Sequence, residues 1–306
     1  MDLPFIEKYR PKCLNEVVSQ DETTKILKLC VTQNKLTHML FYGPPGSGKT
    51  STIMALSRDI YGEYYKSMIL ELNGSDDRGI NIIRTQIKNF AKTKNIVFPD
   101  KPKIIILDEA DSLTTDAQFA LRRVIEKYTS NVRFCIICNY LNKVIPAIQS
   151  RCVTFQFSGV NTQKIKEKIK EIKKLENLKL KIKDINIICE YADGDFRKIL
   201  NFLQQRKFTD NDIIQYFFNI KKEHFIKCSE LVNKTDVNFF EIKDELEKLV
   251  LESGTNFSGL LLVFTQISIK AKKWTFLKKL ADLEYKYYLS NYSYSNIFLT
   301  ALCSCF

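Results

Sequence analysis

Gly43-Pro44-Pro45-Gly46-Ser47-Gly48-Lys49-Thr50 fits the pattern G-x-x-x-x-G-K-[ST], and its reading decides the fold. The apolar run His38-Met39-Leu40-Phe41-Tyr42 precedes it, and Ser51-Thr52-Ile53-Met54-Ala55-Leu56 suits the opening of a helix after it. Strand, glycine loop and helix in that order make a phosphate cradle. The glycines let backbone N–H groups turn inward on phosphate oxygens, and the helix N-terminus adds a favourable dipole. Gly43, Pro44, Pro45, Gly46, Ser47, Gly48 and Ser51 are therefore candidate nucleotide-binding positions. Lys49 supplies a mobile cation for β- and γ-phosphates, and the Thr50 hydroxyl is placed to join a Mg²⁺ shell.

Ile104-Ile105-Ile106-Leu107-Asp108-Glu109-Ala110-Asp111 reads as the second half of the same site. Four apolar residues form a buried strand that delivers two acids at its C-terminal end, where open α/β sheets bind ligands. Asp108 is placed to hold Mg²⁺ or its waters. Glu109, next in sequence, points elsewhere and suits the orientation of a water for in-line attack on a γ-phosphate. The two motifs together imply binding and hydrolysis of Mg²⁺-ATP.

Working outward, residues 38–42, 68–72, 104–107, 134–138 and 153–157 read as strands with amphipathic segments between them. This pattern predicts an α/β fold with a parallel sheet and crossover helices. Residues 161–177 turn helical, with Ile165, Ile169, Ile172 and Leu175 on one face and lysines on the other. Helices over 184–191 and 195–205 complete a small helical unit. From about Lys222 the pattern is helical to the end, with turns expected at 233–236, 252–255 and 290–293. The organisation predicted is one α/β domain, residues 1–158, followed by two helical ones, 159–221 and 222–306.

The composition is compatible with such cores. The 306 residues are 45% hydrophobic and 27% charged, which excludes a disordered tail, a disulfide miniprotein and a collagen-like repeat. The longest dense apolar stretch, Leu260 to Phe264, is far below the roughly 18 residues of a membrane span. The first residues lack a signal-peptide pattern, so a soluble protein with no membrane partner is expected. Nine cysteines, an odd and scattered set, suit a reducing compartment. Cys135 and Cys138 form the sole C-x-x-C, inside the apolar run Phe134-Cys135-Ile136-Ile137-Cys138. Half a zinc site and a redox pair are the functional readings; two buried cysteines on a core strand is the one favoured. With His38 and His224 the only histidines, no tetrahedral zinc site can be completed. The net charge of +12 fits a partner made of phosphates, but a lysine-rich composition alone would produce it too.

Further polar positions belong to the same chemistry. Asn139 ends the strand next to the acids if the two strands are neighbours, and its amide suits a hydrogen bond to the attacking water or γ-phosphate; a strand-end turn residue is the plainer reading. Arg151, in Ser150-Arg151-Cys152, is placed to reach the phosphates of a neighbouring subunit. Arg197 lies off the apolar face made by Phe196, Ile199, Leu200 and Leu203, and so is free to touch the nucleotide. Taken alone, each arginine reads as surface charge. In the helix expected over 79–91, Ile80, Ile83, Ile87 and Phe90 have core spacing, which leaves Arg84 and Lys88 together on an outward face. The lysines of 164–183 alternate with Glu167, Glu171 and Glu176 and read as solvated helix surface.

Glu7-Lys8-Tyr9-Arg10-Pro11, the phosphate loop, Leu72-Asn73-Gly74-Ser75-Asp76-Asp77-Arg78-Gly79-Ile80, Leu107 to Asp111, Ala120-Leu121-Arg122-Arg123, Ser150-Arg151-Cys152 and Gly194-Asp195-Phe196-Arg197 follow one another in this order. In this the sequence resembles the clamp-loader small subunits of the AAA+ ATPases, the replication factor C family, over essentially the whole chain. Leu280-Ala281-Asp282-Leu283-Glu284-Tyr285 resembles the family's last collar helices. The resemblance implies a P-loop AAA+ domain, a small helical lid domain and an all-helical C-terminal collar. It implies ATP and Mg²⁺, a hetero-oligomer (a pentamer) with other clamp-loader subunits, a ring-shaped sliding clamp of the PCNA type, and primer–template DNA held without sequence preference. The location implied is the nucleus of a eukaryote or the cytoplasm of an archaeon. Carried over by residue, Ile6, Tyr9, Arg10 and Val18 would surround the adenine, and Glu109 would be the catalytic base. Asn139 would be the first sensor and Arg197 the second, while Arg151 would be an arginine finger acting on the adjacent subunit's ATP. The helix of Arg84 and Lys88 would track duplex phosphates. Phe5, Ser47 and Gly74 stand where the family usually has Trp, Thr and Ala; Gly74 adds backbone freedom before the turn that follows it. Two competing readings are an ATP-binding structural subunit of a checkpoint-type loader and a stand-alone AAA+ remodeller or helicase. Intact Glu109 and Asn139 argue against the first.

Overall fold

The apolar runs become one parallel sheet of β1 (Met39–Tyr42), β2 (Ile69–Asn73), β3 (Lys103–Asp108), β4 (Val132–Cys138) and β5 (Val153–Gln156), in the order β2-β3-β4-β1-β5. The structure, a computed structural model, describes all residues except 1–2, 19, 76–79, 94–97, 160, 193, 209–212, 219–221, 234–237, 254–256 and 291–294. Within this stretch the helices are α1 (Phe5–Lys8), α2 (Asp21–Thr32), α3 (Lys49–Tyr61), α4 (Tyr65–Met68), α5 (Ile80–Lys92), α6 (Thr115–Tyr128) and α7 (Pro146–Gln149).

Side chains alternate across a strand, so a continuous apolar run needs cover on both faces. Met39, Phe41, Ile104, Ile106, Cys135 and Ile137 pack on one face against Ile53, Leu56 and Ile60 of α3 and Leu27 of α2. Leu40, Ile105, Leu107, Phe134, Ile136 and Cys138 pack on the other against Ile87 of α5 and Leu121, Val124 and Ile125 of α6. Each such side chain contributes roughly 1.5–3 kcal/mol by leaving water. The result is three layers, helix–sheet–helix. Cys135 and Cys138 thus face opposite layers as core residues, and burial pushes the Cys138 thiol up to about 11. At the sheet edge β5 buries only Phe155, which is why its run is short.

The strand order places β4 between β1 and β3. Tyr42 pairs with Cys138, and Asn73 pairs with Asp108, so the C-terminal ends of the inner strands finish level. The crevice at such a switch in strand order is where this class of sheet binds ligands.

Two compact units divide the chain, residues 1–204 and 205–306. The first also holds α8 (Thr162–Leu175), α9 (Ile182–Tyr191) and most of α10 (Phe196–Phe208). Ile165, Ile169 and Ile172 of α8 are buried as their spacing predicts. Leu175, expected with them, is 63% exposed because the helix ends there; Leu178 and Leu180 beyond it are buried instead. The second unit holds α11 (Ile213–Phe218), α12 (Lys222–Asn233), α13 (Phe239–Ser253), α14 (Phe257–Lys270), α15 (Trp274–Leu289) and α16 (Ser295–Cys303). Its core is built on α14, whose Phe264 meets Phe276 and Phe306 edge-on. The turns expected around 233–236, 252–255 and 290–293 fall largely outside the described residues. Among the described residues no helix is long and apolar enough to cross a membrane.

His38 joins β1 to the centre of the sheet. Its Nδ1 accepts from the Phe134 N–H at 3.1 Å, so the ring proton sits on Nε2, which faces the Thr129 hydroxyl at 3.3 Å. Burial, with Arg133 nearby, brings its pKa down to about 4 from 6.5. The unfolded chain takes up this proton below about pH 6.5, while the folded chain resists it to about pH 4. Stability from His38 is therefore complete above the unfolded value and declines as pH falls through that window. Urea unfolding should show a loss between neutral pH and pH 5, and His38→Gln should lack that part of the pH dependence.

Candidate nucleotide site

At the C-terminal edge of the sheet lies a cleft of about 400 Å³. Pro45, Gly46, Ser47, Gly48, Lys49, Thr50 and Ser51 form its floor, and Asp108, Glu109 and Asn139 one wall. Ile6, Tyr9, Arg10 and Val18 line a further wall, and Arg197 lines the cleft from α10. Gly43 and Pro44 do not line the cleft; they act through their carbonyls.

Lys49 opens α3 and is 7% exposed. Its Nζ donates to Gly43 O at 2.7 Å, Pro44 O at 2.9 Å and Asn139 Oδ1 at 2.9 Å. Burial holds its pKa below the ordinary lysine value, opposed chiefly by Asp108. Asn139 is itself fixed from behind, because the Asp111 carboxylate accepts from the N–H groups of Asn139 (3.1 Å) and Tyr140 (3.3 Å). With its oxygen on Lys49, the Asn139 amide has its two donors left for other partners.

Glu109 adopts a left-handed conformation, φ 52° and ψ 40°, unusual for a residue with a β-carbon and costing on the order of 1–2 kcal/mol. The turn separates its side chain from that of Asp108, whose Oδ1 accepts from the Glu109 N–H at 2.9 Å. Gly74 bears on this turn: a β-carbon at 74 would lie 2.6 Å from the Glu109 carbonyl oxygen. In this chain the close approach of the Glu109 carbonyl, and not a left-handed backbone, is what glycine at 74 accommodates.

The loop meets the helical part of its own unit as well. Gly46 has φ +70°, and a β-carbon there would sit 1.9 Å from Asp195 Oδ1. That carboxylate accepts from the backbone N–H groups of Arg197 (2.9 Å) and Lys198 (3.3 Å), so it starts α10 and touches the loop at once. Gln20, 4% exposed, reaches Ser47 O at 3.4 Å and Ser158 O at 2.9 Å and ties the loop to the end of β5. Gln20, Asp111 and Lys168, which also lines the cleft, were not legible as site residues. Each has an ordinary surface or cap pattern in sequence and acquires its place through contacts between distant segments.

Arg151 is not in this cleft. Its guanidinium binds Glu126 at 2.6 Å and Ala147 O at 2.7 Å, and Glu126 also holds Arg122 at 3.1 Å. Lys88 is exposed on α5, and of Arg84 only the backbone, on the same helix, falls among the described residues. The segment 76–79 lies outside them.

Thr50 Oγ1 donates to Asp108 Oδ2 at 2.7 Å. A hydroxyl and a carboxylate converging beside the loop are hard oxygen donors of the kind Mg²⁺ takes, and two fit an ion that completes its shell with waters and phosphates. Among the described residues no cluster of three or more His, Cys, Asp or Glu forms an all-protein metal cage. The donor set fits Mg²⁺.

A nucleotide-binding P-loop ATPase of the AAA class is what this fold and cleft define. Residues 39–160 match the family described as "ATPase family associated with various cellular activities (AAA)". The chain is 40% identical over 320 residues to the probable replication factor C subunit 5 of Dictyostelium discoideum, covering 99% of this chain and 90% of that one. It is 51% identical over 208 residues to replication factor C subunit 3 of Saccharomyces cerevisiae, covering 68% and 61%. A replication factor C small subunit of Methanococcus maripaludis is 41% identical over 274 residues, covering 87% and 86%. The chain belongs to the replication factor C family of small subunits. Among solved structures, the Thermotoga maritima RuvB Holliday junction branch migration motor superposes with a TM-score of 0.52 at 18% identity, over 86% of this chain and 91% of that one. At that identity the likeness is one of fold.

Gly46→Ala adds a methyl against Asp195 in a backbone conformation that L-residues resist. Titration with a fluorescent ATP analogue should show at least a roughly tenfold weaker Kd, with a lower melting temperature for the variant.

Proposed function

We propose that the chain is a small subunit of a DNA sliding-clamp loader, binding and hydrolysing Mg²⁺-ATP at subunit interfaces to open the clamp and load it onto primer–template DNA. The observation that carries this reading is a split. Lys49, Thr50, Asp108, Glu109, Asn139 and Arg197 converge on one cleft, while Arg151 lies outside it, held at the surface by Glu126.

On this reading Lys49 exchanges the Gly43 and Pro44 carbonyls for phosphate oxygens, a substitution of one set of acceptors for another. Thr50 and Asp108 would hold Mg²⁺, which when bound supplies charge neutralisation at the β- and γ-oxygens. Glu109 takes the proton of the attacking water. The free donors of Asn139 orient that water or the γ-phosphate, and Arg197 answers to the phosphates from α10. The last cation is Arg151 of an adjacent subunit. Its bond to Glu126 is solvated in part on both sides, and such ion pairs are weak in water, so a neighbour's triphosphate competes with it readily. Arginine fingers of this kind are worth roughly 10³–10⁵ in rate, which makes assembly part of the chemistry.

Residues 1–158 serve as the AAA+ domain, 159–221 as the lid and 222–306 as the collar of a hetero-pentamer. Lys88 and Arg84 on α5 contact duplex phosphates, which gives salt-sensitive binding without sequence preference. Such a subunit works in a eukaryotic nucleus or an archaeal cytoplasm.

The isolated chain should hydrolyse ATP at least about a hundredfold more slowly per site than the assembled loader. Arg151→Ala in the assembly should remove the turnover of the neighbouring site, and Glu109→Gln should trap ATP at its own. Steady-state phosphate release, read alongside nucleotide retention, checks all three. Full turnover by a proven monomer would defeat the reading.

A further inference from the structure

Glu176 lies in the lysine-rich stretch whose pattern reads as solvated surface, yet its side chain is only 4% exposed. It caps the C-terminal end of α8. Its Oε1 accepts from the Tyr9 hydroxyl at 2.6 Å and from Lys8 Nζ at 2.5 Å. Burial first, and then the hydrogen bond and charge of Glu176, push the Tyr9 hydroxyl well above its ordinary pKa, so it stays protonated and donates. The Tyr9 ring meets Phe5 edge-on at 5.3 Å, and the Phe5 N–H donates to Gln204 Oε1 of α10 at 2.9 Å. The N-terminal segment is therefore pinned at two points, by the end of α8 and by the middle of α10.

That segment is also one wall of the cleft, through Ile6, Tyr9 and Arg10, and α10 brings Arg197 and Leu200 to the same space. Lys8 and Tyr9 thus share one carboxylate, 168 and 167 positions further along the chain, and it ties the wall to the end of α8. We infer that Glu176 is a positioning residue for the nucleotide: it locks Tyr9 in the cleft wall and couples the segment around the base to the helices that approach the phosphates. This rests on the cleft being the ATP site. Because Lys49, Asn139, Thr50 and Asp108 are held by separate bonds, the effect falls on affinity rather than on the chemical step.

The test uses the full chain and a fluorescent ATP analogue, with ATP turnover measured in the assembled loader. Glu176→Ala and Tyr9→Phe should each raise Kd by roughly three- to thirtyfold, the scale of one charge-assisted hydrogen bond. The double variant should be no worse than Glu176→Ala alone, since that change already removes the bond Tyr9→Phe breaks. Glu176→Gln, which keeps an acceptor for Tyr9, should recover most of the loss, and KM should rise in Glu176→Ala with little change in kcat. Multiplying effects in the double variant, or an unchanged Kd in well-folded Tyr9→Phe, would overturn the inference. Lys49→Ala separates the two readings. If it leaves Kd unchanged, the cleft is not the ATP site; if it abolishes binding while Glu176→Ala and Tyr9→Phe do not weaken it, only the role of Glu176 falls.

Discussion

A buried ammonium must be matched by oxygen, and the cleft is organised around meeting that need for Lys49. Two of its three acceptors are carbonyls of the loop that carries it, and the third is Asn139. The loop must then curl back on itself, which glycines at 43, 46 and 48 permit with positive φ. The third acceptor constrains the whole sheet. Asn139 reaches Lys49 because β4 lies directly beside β1, and β4 also stands beside the strand that presents Asp108. One cation thus links loop conformation to strand order.

Much of this was legible because the signals are local. Four successive apolar residues followed by Asp108 and Glu109 can hardly be anything but a buried parallel strand with acids at its end. The opposite facing of Cys135 and Cys138 follows from the period of a strand, and it is what makes their C-x-x-C spacing structural. The contacts that were not legible join segments far apart. Glu176 shares its helix stretch with Glu167 and Glu171 at spacings typical of solvated Lys–Glu pairs, and its buried place beside Lys8 and Tyr9, from the other end of the unit, is not encoded in those spacings. Asp195 reads as an ordinary helix start. That it also closes on Gly46 depends on where α10 comes to rest, which no periodicity in the sequence encodes.

The lysine excess also takes on a different meaning. Lys103, 7% exposed, donates to Phe90 O and to the Thr93 carbonyl and hydroxyl, and so ties the end of α5 to β3. Arg133 spends donors on the carbonyls of Leu36, Thr129 and Val132. Lys164 binds Asp21 across 143 positions. These cations hold the fold, and their charge enters the net +12 without facing a ligand. Net charge is therefore a weak guide to a phosphate partner; placement on a face such as that of α5 is the informative quantity.

How firmly each group is held follows its burial. Lys49 and Glu176 are almost wholly out of water, where an unmatched charged group is costly, so a bond there is given up only for another partner. They fix the floor and the wall of the cleft through protein partners, so little of it has to be ordered when a ligand binds. Arg151 and Glu126 are 32% and 42% exposed, in a medium that screens their attraction and offers replacement partners. On the proposed reading Arg151 has to be releasable, and a partly solvated bond provides that. On the proposed reading, the groups most deeply buried, Lys49 and Glu176, serve this chain's own nucleotide, and the part-exposed Arg151 is the one lent to another chain.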